Sequence, residues 1–225
     1  HVLFPEAEEA GWLADAGLEL RHGVQFHWSN AGYRDFDDFL ARLAQPKRKK
    51  IRQERRKVAE AGVTFRVLRG QEIGPEEWAF FHACYSRTYL EHRSTPYLTL
   101  AFFEDYGRQS GDACVLMIAE RAGTPIAASF FLQDAGALYG RYWGALEYIP
   151  CLHFEACYYQ AIDYAIKAGL ARFEGGAQGE HKLSRGLEPV RTCSAHWIAD
   201  PRFRDAVARF LAQERGGMEA YLDEL

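Results

Sequence analysis

The chain has 225 residues, 48% of them hydrophobic and 14% aromatic, and 31 acidic against 27 basic side chains leave a net charge of −4. These values describe a packed globular protein of one large or two small domains; they exclude a disordered chain and one that binds polyanions through bulk charge. No apolar run reaches the roughly 18 residues that span a bilayer, no signal peptide is visible, and the five cysteines lack a CxxC pair, so they read as reduced thiols of a cytoplasmic protein with no disulfide framework or zinc site.

The chain opens at His1, and His1–Pro5 reads as a strand entered midway, as in a piece of a longer protein. Ala10, Leu13 and Ala14 predict a helix over Glu6–Ala16, stopped by Gly17. Leu18–Trp28 alternates with period two and predicts a strand. Asp35–Ala61 is helical, with Phe36, Phe39, Leu40 and Leu43 forming an apolar stripe and Pro46 a kink or restart. After that proline the run KRKKIRQERRK (Lys47–Lys57) holds eight Lys or Arg in eleven positions, anchored by Ile51 and then Val58. Such a run is either a polyanion-binding face or a solvated helix balanced in part by Glu54 and Glu60.

Val63–Leu68 reads as a strand, Pro75 to about Glu91 as a helix with acidic residues in its first turn, and Leu100–Gln109 as another helix. Cys114–Glu120 is a continuous apolar run, the mark of a strand buried on both faces. Ile126–Gln133 and Ala137–Ala145 complete an antiparallel meander joined by tight turns. A helix from Leu152, stopped by Gly169, leads to a short strand over Leu170–Glu174. The last strand is expected over Thr192–Ala199, and two closing helices over Pro201–Glu214 and Met218–Leu225.

From Val63 the order strand, helix, helix, three antiparallel strands, helix, strand, strand, helix resembles the GNAT acyltransferase fold. The stretches QFHWSNAGYRDFDDFLARL, KRKKIRQERRK, YWGALEYIPCLHFEACYYQAIDYAI and RFEGGAQGEHKLSRG resemble the FemAB-like group of N-acyltransferases, often described as peptidoglycan biosynthesis or recognition proteins. The resemblance covers essentially the whole chain. It implies an α/β (α+β) GNAT-like fold: a mixed, mainly antiparallel sheet flanked by helices. It also implies tandem halves, with residues 1–34 the tail of a preceding GNAT-like half, 35–61 a basic helical segment and 62–225 the acyltransferase domain. The implied activity is transfer of an acyl or aminoacyl group, from a CoA thioester or an aminoacyl-tRNA, to a primary amine of a cell-wall precursor. A tRNA donor would contact Lys47–Lys57. A GNAT-like binding module without catalysis, recognising a cell-wall fragment or RNA, is the alternative. The connection Gly144–Leu152 lacks the glycine-rich loop that holds a CoA pyrophosphate at a helix N-terminus, which argues against CoA binding in the usual manner.

The candidate site is concentrated in Leu152–Gly186 and the strand before it. His153 and Glu155, in the first turn of the central helix, are candidates for the base that takes the amine proton; Glu155 also suits the helix dipole. Glu174, Gln178, Glu180, His181, Lys182 and Arg185 crowd a glycine-rich segment, where His181 is a third candidate base and Lys182 or Arg185, with amides near Gly175–Gly179, would stabilise a tetrahedral oxyanion. Strand alternation puts Arg141 and Trp143, candidate substrate-binding residues, on one face and Tyr142 on the other, with Glu155, Glu174 or a ligand as the anionic partner for Arg141. His22, Gln25, His27 and Trp28 read as strand residues or as the lining of a groove, and Cys157 as core.

Overall fold

The computed structural model describes residues 1–177 and 179–224. In chain order the elements are β1 (Val2–Leu3), α1 (Ala7–Asp15), β2 (Glu19–Ser29), α2 (Phe36–Arg42), α3 (Gln45–Glu60), β3 (Val63–Arg69), α4 (Pro75–Glu91), α5 (Leu100–Ser110), β4 (Cys114–Arg121), β5 (Thr124–Gln133), β6 (Ala137–Ala145), α6 (Leu152–Phe154), a π turn (Glu155–Tyr159), α7 (Gln160–Lys167), β7 (Arg172–Glu174), a 3-10 turn (Glu180–Arg185), β8 (Glu188–His196) and α8 (Pro201–Glu224). Local chemistry sets most boundaries. The Asp35 carboxylate accepts the Asp38 N–H at 2.8 Å to cap α2. Pro46 sits in the first turn of α3, where its missing N–H costs nothing, so the helical stretch restarts there. Gly169 has φ +67°, a left-handed backbone that ends α7 without a Cβ penalty.

Three boundaries differ from the sequence reading. The closing segment is one helix, because Gly216 and Gly217 lower helix propensity by only about 1 kcal/mol each and remove no backbone hydrogen bond. The last strand begins four residues earlier and ends three earlier, at the residues that pair with β1 (Val2↔Ala195, Leu3↔Ser194). The strand after α7 is shorter than expected. The Leu170 carbonyl is taken by the Asn30 side chain at 3.0 Å, and the Ala171 N–H by the Gly136 carbonyl at 2.8 Å.

The chain forms two compact units. One comprises residues 1–26, 177–183 and 188–225; in it β1 pairs antiparallel with β8, which neighbours β2. The other comprises residues 27–176 and 184–187. Its sheet runs from the end of β2 through β7, β6, β5 and β4 to β3, every neighbour antiparallel except β6 and β7, which are parallel. One face carries α4 and α5 over Leu116, Ile118 and Phe130, with Trp78, Phe81 and Phe103 in the core. The helical run from α6 to α7 covers the other face, and Leu152 packs there with Ala119 and Ala127. At Gly144 a Cβ would lie 1.9 Å from the Cys84 carbonyl oxygen, so only glycine lets α4 press onto β6.

Candidate active site

β6 and β7 pair only from Ala137↔Arg172 to Tyr139↔Glu174. Beyond that point β7 has ended while β6 continues to Ala145, held on its other side by β5. The two strands part and leave a cavity of about 160 Å³, lined among others by Arg141, Trp143, His153, Cys157, Tyr158 and Gly175. Trp143 and His153 also line a second cavity of about 500 Å³, walled by the last turn of α4 and the connection from Glu147 to Cys151.

The His153 ring is boxed by aromatics, 5.6 Å from Trp143, 5.5 Å from Phe154 and 5.6 Å from Tyr158 between ring centres. Cys151, just ahead of α6, has φ +69° and carries the strain of a side chain in left-handed backbone.

A β-bulge interrupts β6 at Arg141, while Tyr142 and Trp143 keep opposite faces of the sheet as expected. Tyr142 pairs with Phe130 and Gly140 with Phe131, which leaves Arg141 unopposed. Tyr142 packs toward Tyr85 and Phe103, opposite Trp143, and Arg141 lies beside Tyr142, its guanidinium carbon 5.7 Å from that ring centre. The partners expected for Arg141 are engaged elsewhere: Glu155 with Arg55, and Glu174 with Arg172 at 2.8 Å and His27 at 3.8 Å. Among the described residues Arg141 makes no salt bridge. The Tyr142 hydroxyl lies 2.8 Å from that of Tyr97, and burial, reinforced by this contact, pushes the Tyr142 pKa up to about 12.

Glu155 and His153 do not share a cavity. Glu155 is buried beneath α3, where Arg55 Nε donates to both carboxylate oxygens at 3.2 Å and Gln160 Nε2 donates to one at 2.7 Å. The π turn makes this possible: widening the helix aligns residues five apart, so Gln160 meets Glu155. On the sheet side the buried Ser129 hydroxyl donates to the Ala156 carbonyl at 3.0 Å, within the same turn. π turns recur at functional sites, and this one begins two residues after His153.

The basic run folds so that Lys47, Lys49, Lys50, Arg52, Arg56 and Lys57 are exposed, Arg55 reaches Glu155, and Ile51, Glu54 and Val58 face in. Glu54 is 8% exposed and accepts from Arg185 Nη2 at 2.7 Å and from the Tyr159 hydroxyl. Burial, then that hydrogen bond, raises the Tyr159 pKa. Arg185, 1% exposed, also stacks on Phe154, with its guanidinium carbon 3.4 Å from the ring centre. It is thus a buried ion-pair partner where an oxyanion contact was expected. Sequence reasoning missed Glu54, Arg55, Tyr159 and Gln160. The signal available was spacing, since Glu54 falls between Ile51 and Val58 on their stripe.

The remaining candidates fall as follows. Glu180, His181 and Lys182 belong to the smaller unit. Glu180 and His181 are exposed, and the His181 ring packs over Gly179, where a Cβ would meet it at 2.2 Å. Lys182 is 3% exposed, its ammonium 5.7 Å from the Phe26 ring centre. Gln178 lies outside the described residues. Trp28 is buried against Phe39 and Tyr33, and His22 and Gln25 are β2 residues of the smaller unit. Among the described residues no helix is long and apolar enough to cross a membrane, and no group of three or more His, Cys, Asp or Glu could hold a metal ion.

The sheet is helix-flanked and mainly antiparallel, the mixed architecture expected of a GNAT-like fold, and its parallel β6–β7 pair parts into a cleft. Within that fold class, the chain belongs to the FemAB-like family, described as peptidoglycan biosynthesis/recognition, whose model matches residues 1–225. A comparison with curated proteins gives no match. Among solved structures the fold is shared with L-PGS from Bacillus licheniformis, at 14% identity and TM-score 0.64, covering 93% of this chain and 71% of that one. It is shared with the C-terminal domain of a protein assigned as a lysylphosphatidylglycerol synthetase from Agrobacterium fabrum, at 14% identity and TM-score 0.63, covering 94% and 71%. FemX matches at 10% identity and TM-score 0.62, covering 88% of this chain and 70% of its own.

Proposed function

We propose that this chain transfers an acyl or aminoacyl group from an activated ester or thioester to a primary amine in the cleft between β6 and β7, in the metabolism of a cell-wall precursor. One observation carries the reading: β6 outruns β7, and the resulting cavity is lined by His153. Membership in a family described as peptidoglycan biosynthesis/recognition supports the cell-wall context. In this scheme the amine nitrogen attacks the donor carbonyl, His153 takes the proton, and the tetrahedral intermediate collapses with departure of the thiol or ribose hydroxyl, which regains a proton. Arg141, on its bulge, supplies positive charge near the developing oxyanion.

An aminoacyl-tRNA suits the site better than CoA. The connection ahead of α6 lacks a glycine-rich pyrophosphate loop, and α3 exposes Lys47, Lys49, Lys50, Arg52, Arg56 and Lys57 to a phosphate backbone. The first turn of α3 contains no acid and begins a run of cations, so helix-dipole stability is given up there for an outward positive face.

The test is single-turnover transfer to a soluble peptidoglycan-precursor amine, with charged tRNA and acetyl-CoA as alternative donors. His153→Gln should slow transfer about 10²- to 10⁴-fold while donor binding stays intact. An unchanged rate removes His153 from the mechanism. Precursor binding without transfer from either donor would favour a recognition module.

A further inference from the structure

β3 closes one end of the sheet, separated from β6 and its cleft by β5 and β4. It pairs with β4 over seven residues in unbroken register, from Val63↔Arg121 to Arg69↔Val115. Its side chains alternate between faces. Leu68 joins the core under α4, and Arg66 is held by Glu77 and Glu120, each at 3.1 Å. Val63 and Phe65 pack on the other face with Val58 of α3, and the Arg69 guanidinium lies 5.9 Å from the Tyr164 ring centre of α7. By alternation Val67 shares that second face, and it is 38% exposed.

The outer edge of β3 is open. The Arg69 N–H turns away from β4 and donates to the Glu72 carboxylate at 2.8 Å. Backbone direction alternates along a strand, so the N–H and C=O groups of Phe65 and Val67 also point away from β4. Among the described residues these groups have no hydrogen-bond partner. Natural edge strands are commonly kept short or blocked by a proline, a bulge or a charge. β3 is seven residues long and has neither proline nor bulge, and its central charge, Arg66, is neutralised. α3 flanks the start of this strand, and a cavity of about 480 Å³ lies between them, lined among others by Val58, Phe65, Arg55, Arg56 and Glu155. Arg55 and Glu155 offset each other. The net charge of the lining therefore comes from Arg56, which makes no salt bridge among the described residues.

We infer that the open edge of β3 is a docking surface for an extended acidic peptide segment of a partner protein, which adds to the sheet as a further strand. Phe65 and Val67 exchange backbone hydrogen bonds with the added strand. Apolar side chains of the segment pack opposite Phe65 and Val67, and a carboxylate at the Val63 end meets Arg56. Glu72, on the Arg69 N–H, ends the open stretch. A second copy of this chain fits less well, since it would bring a second α3, with its exposed cations, to the same edge. The edge lies outside the cleft between β6 and β7, so the inference is independent of the acyl-transfer reading.

Calorimetric titration of the full chain with the terminally capped peptides VTVTE and ETVTV tests this, the first suited to antiparallel and the second to parallel addition. At least one should bind, while its lysine counterpart (VTVTK or KTVTV) and its fully N-methylated form should not. Amide exchange read by NMR should slow at Phe65 and Val67 when the peptide is added. Arg56→Glu should weaken binding by at least about tenfold. Arg56 also belongs to the cationic face of α3, so Val67→Asp, outside that helix, serves as a second variant and should weaken binding about threefold or more. Both side chains are exposed, and an unchanged melting curve establishes that each variant folds. Failure of both peptides to bind, equal binding of the lysine or N-methylated forms, unchanged affinity in both variants, or unchanged exchange at Phe65 and Val67 overturns the inference. Protection of these two amides that grows with protein concentration in the absence of peptide would assign the edge to a second copy and overturn it as well.

Discussion

The Glu54 carboxylate and the Arg185 guanidinium meet at 2.7 Å, with side chains 11% and 2% exposed. They are separated by 131 positions in the chain. Glu54 comes from the most basic stretch of the sequence and Arg185 from the end of its most polar turn. Removing one partner strands the other charge in a low-dielectric interior, so Glu54→Leu alone or Arg185→Met alone should cost about 3–5 kcal/mol in denaturant titration. The double replacement Glu54→Leu/Arg185→Met should recover most of that loss. Single variants within 1 kcal/mol of the wild type would show that the pair is not desolvated as described.

Gly144→Ala places a methyl group 1.9 Å from the Cys84 carbonyl oxygen. Backbone meets backbone there, so no side-chain rotation relieves it. A loss of about 3 kcal/mol or more is expected by thermal or chemical denaturation, with α4 displaced from β6. Wild-type stability in this variant would contradict the close approach.

Cys151 predicts the opposite sign. At φ +69° its side chain is strained, and Cys151→Gly relieves that strain. The substitution should stabilise the fold by up to about 1 kcal/mol, since the loss of left-handed strain exceeds the added freedom of the unfolded chain. A destabilised Cys151→Gly would mean that the thiol packs more strongly than its backbone is strained.

Burial pushes the Cys84 thiol up to about 12 and the Cys114 thiol up to about 11. Both side chains are inaccessible. Alkylation by iodoacetamide at pH 8 should spare these two in the native protein and modify all five thiols after unfolding, as read by mass spectrometry. Labelling of Cys84 at the rate of a free thiol would place it at the surface.

His27, on β2 opposite Glu174, has its pKa lowered chiefly by burial, with the Glu174 charge opposing and the Arg172 charge reinforcing the shift. A depressed folded pKa means that the unfolded chain binds the proton more readily. The His27 contribution is thus fully present above the ordinary value of 6.5, declines as pH falls below it, and levels off under the folded pKa. Replacing His27 with Gln should flatten that acid-side decline in stability against pH. An unchanged pH profile would show that His27 titrates alike in both states.

The elements of this protein were legible because their signals are local. The meander reads from apolar runs and turn residues, α4 from Pro75 and its acidic first turn, and the break before α3 from Pro46. The site was legible only in part. Arg141, Trp143, His153 and Gly175 line one cavity. The bulge at Arg141 was not readable, because a register shift is a relation between two strands and leaves no mark in either alone.

Sequence by itself determined the order of helices and strands, the glycines that permit Gly144 and Gly169, and the family. Tertiary structure decided which charges are used and which are solvated. Lys47–Lys57 carries its one acidic residue inward to Arg185, and the π turn sends Glu155 to Arg55 and leaves His153 to the cavities. The physical reason is that a buried charge needs a partner within hydrogen-bond reach, and which residues come within reach is settled by packing between segments far apart in the chain.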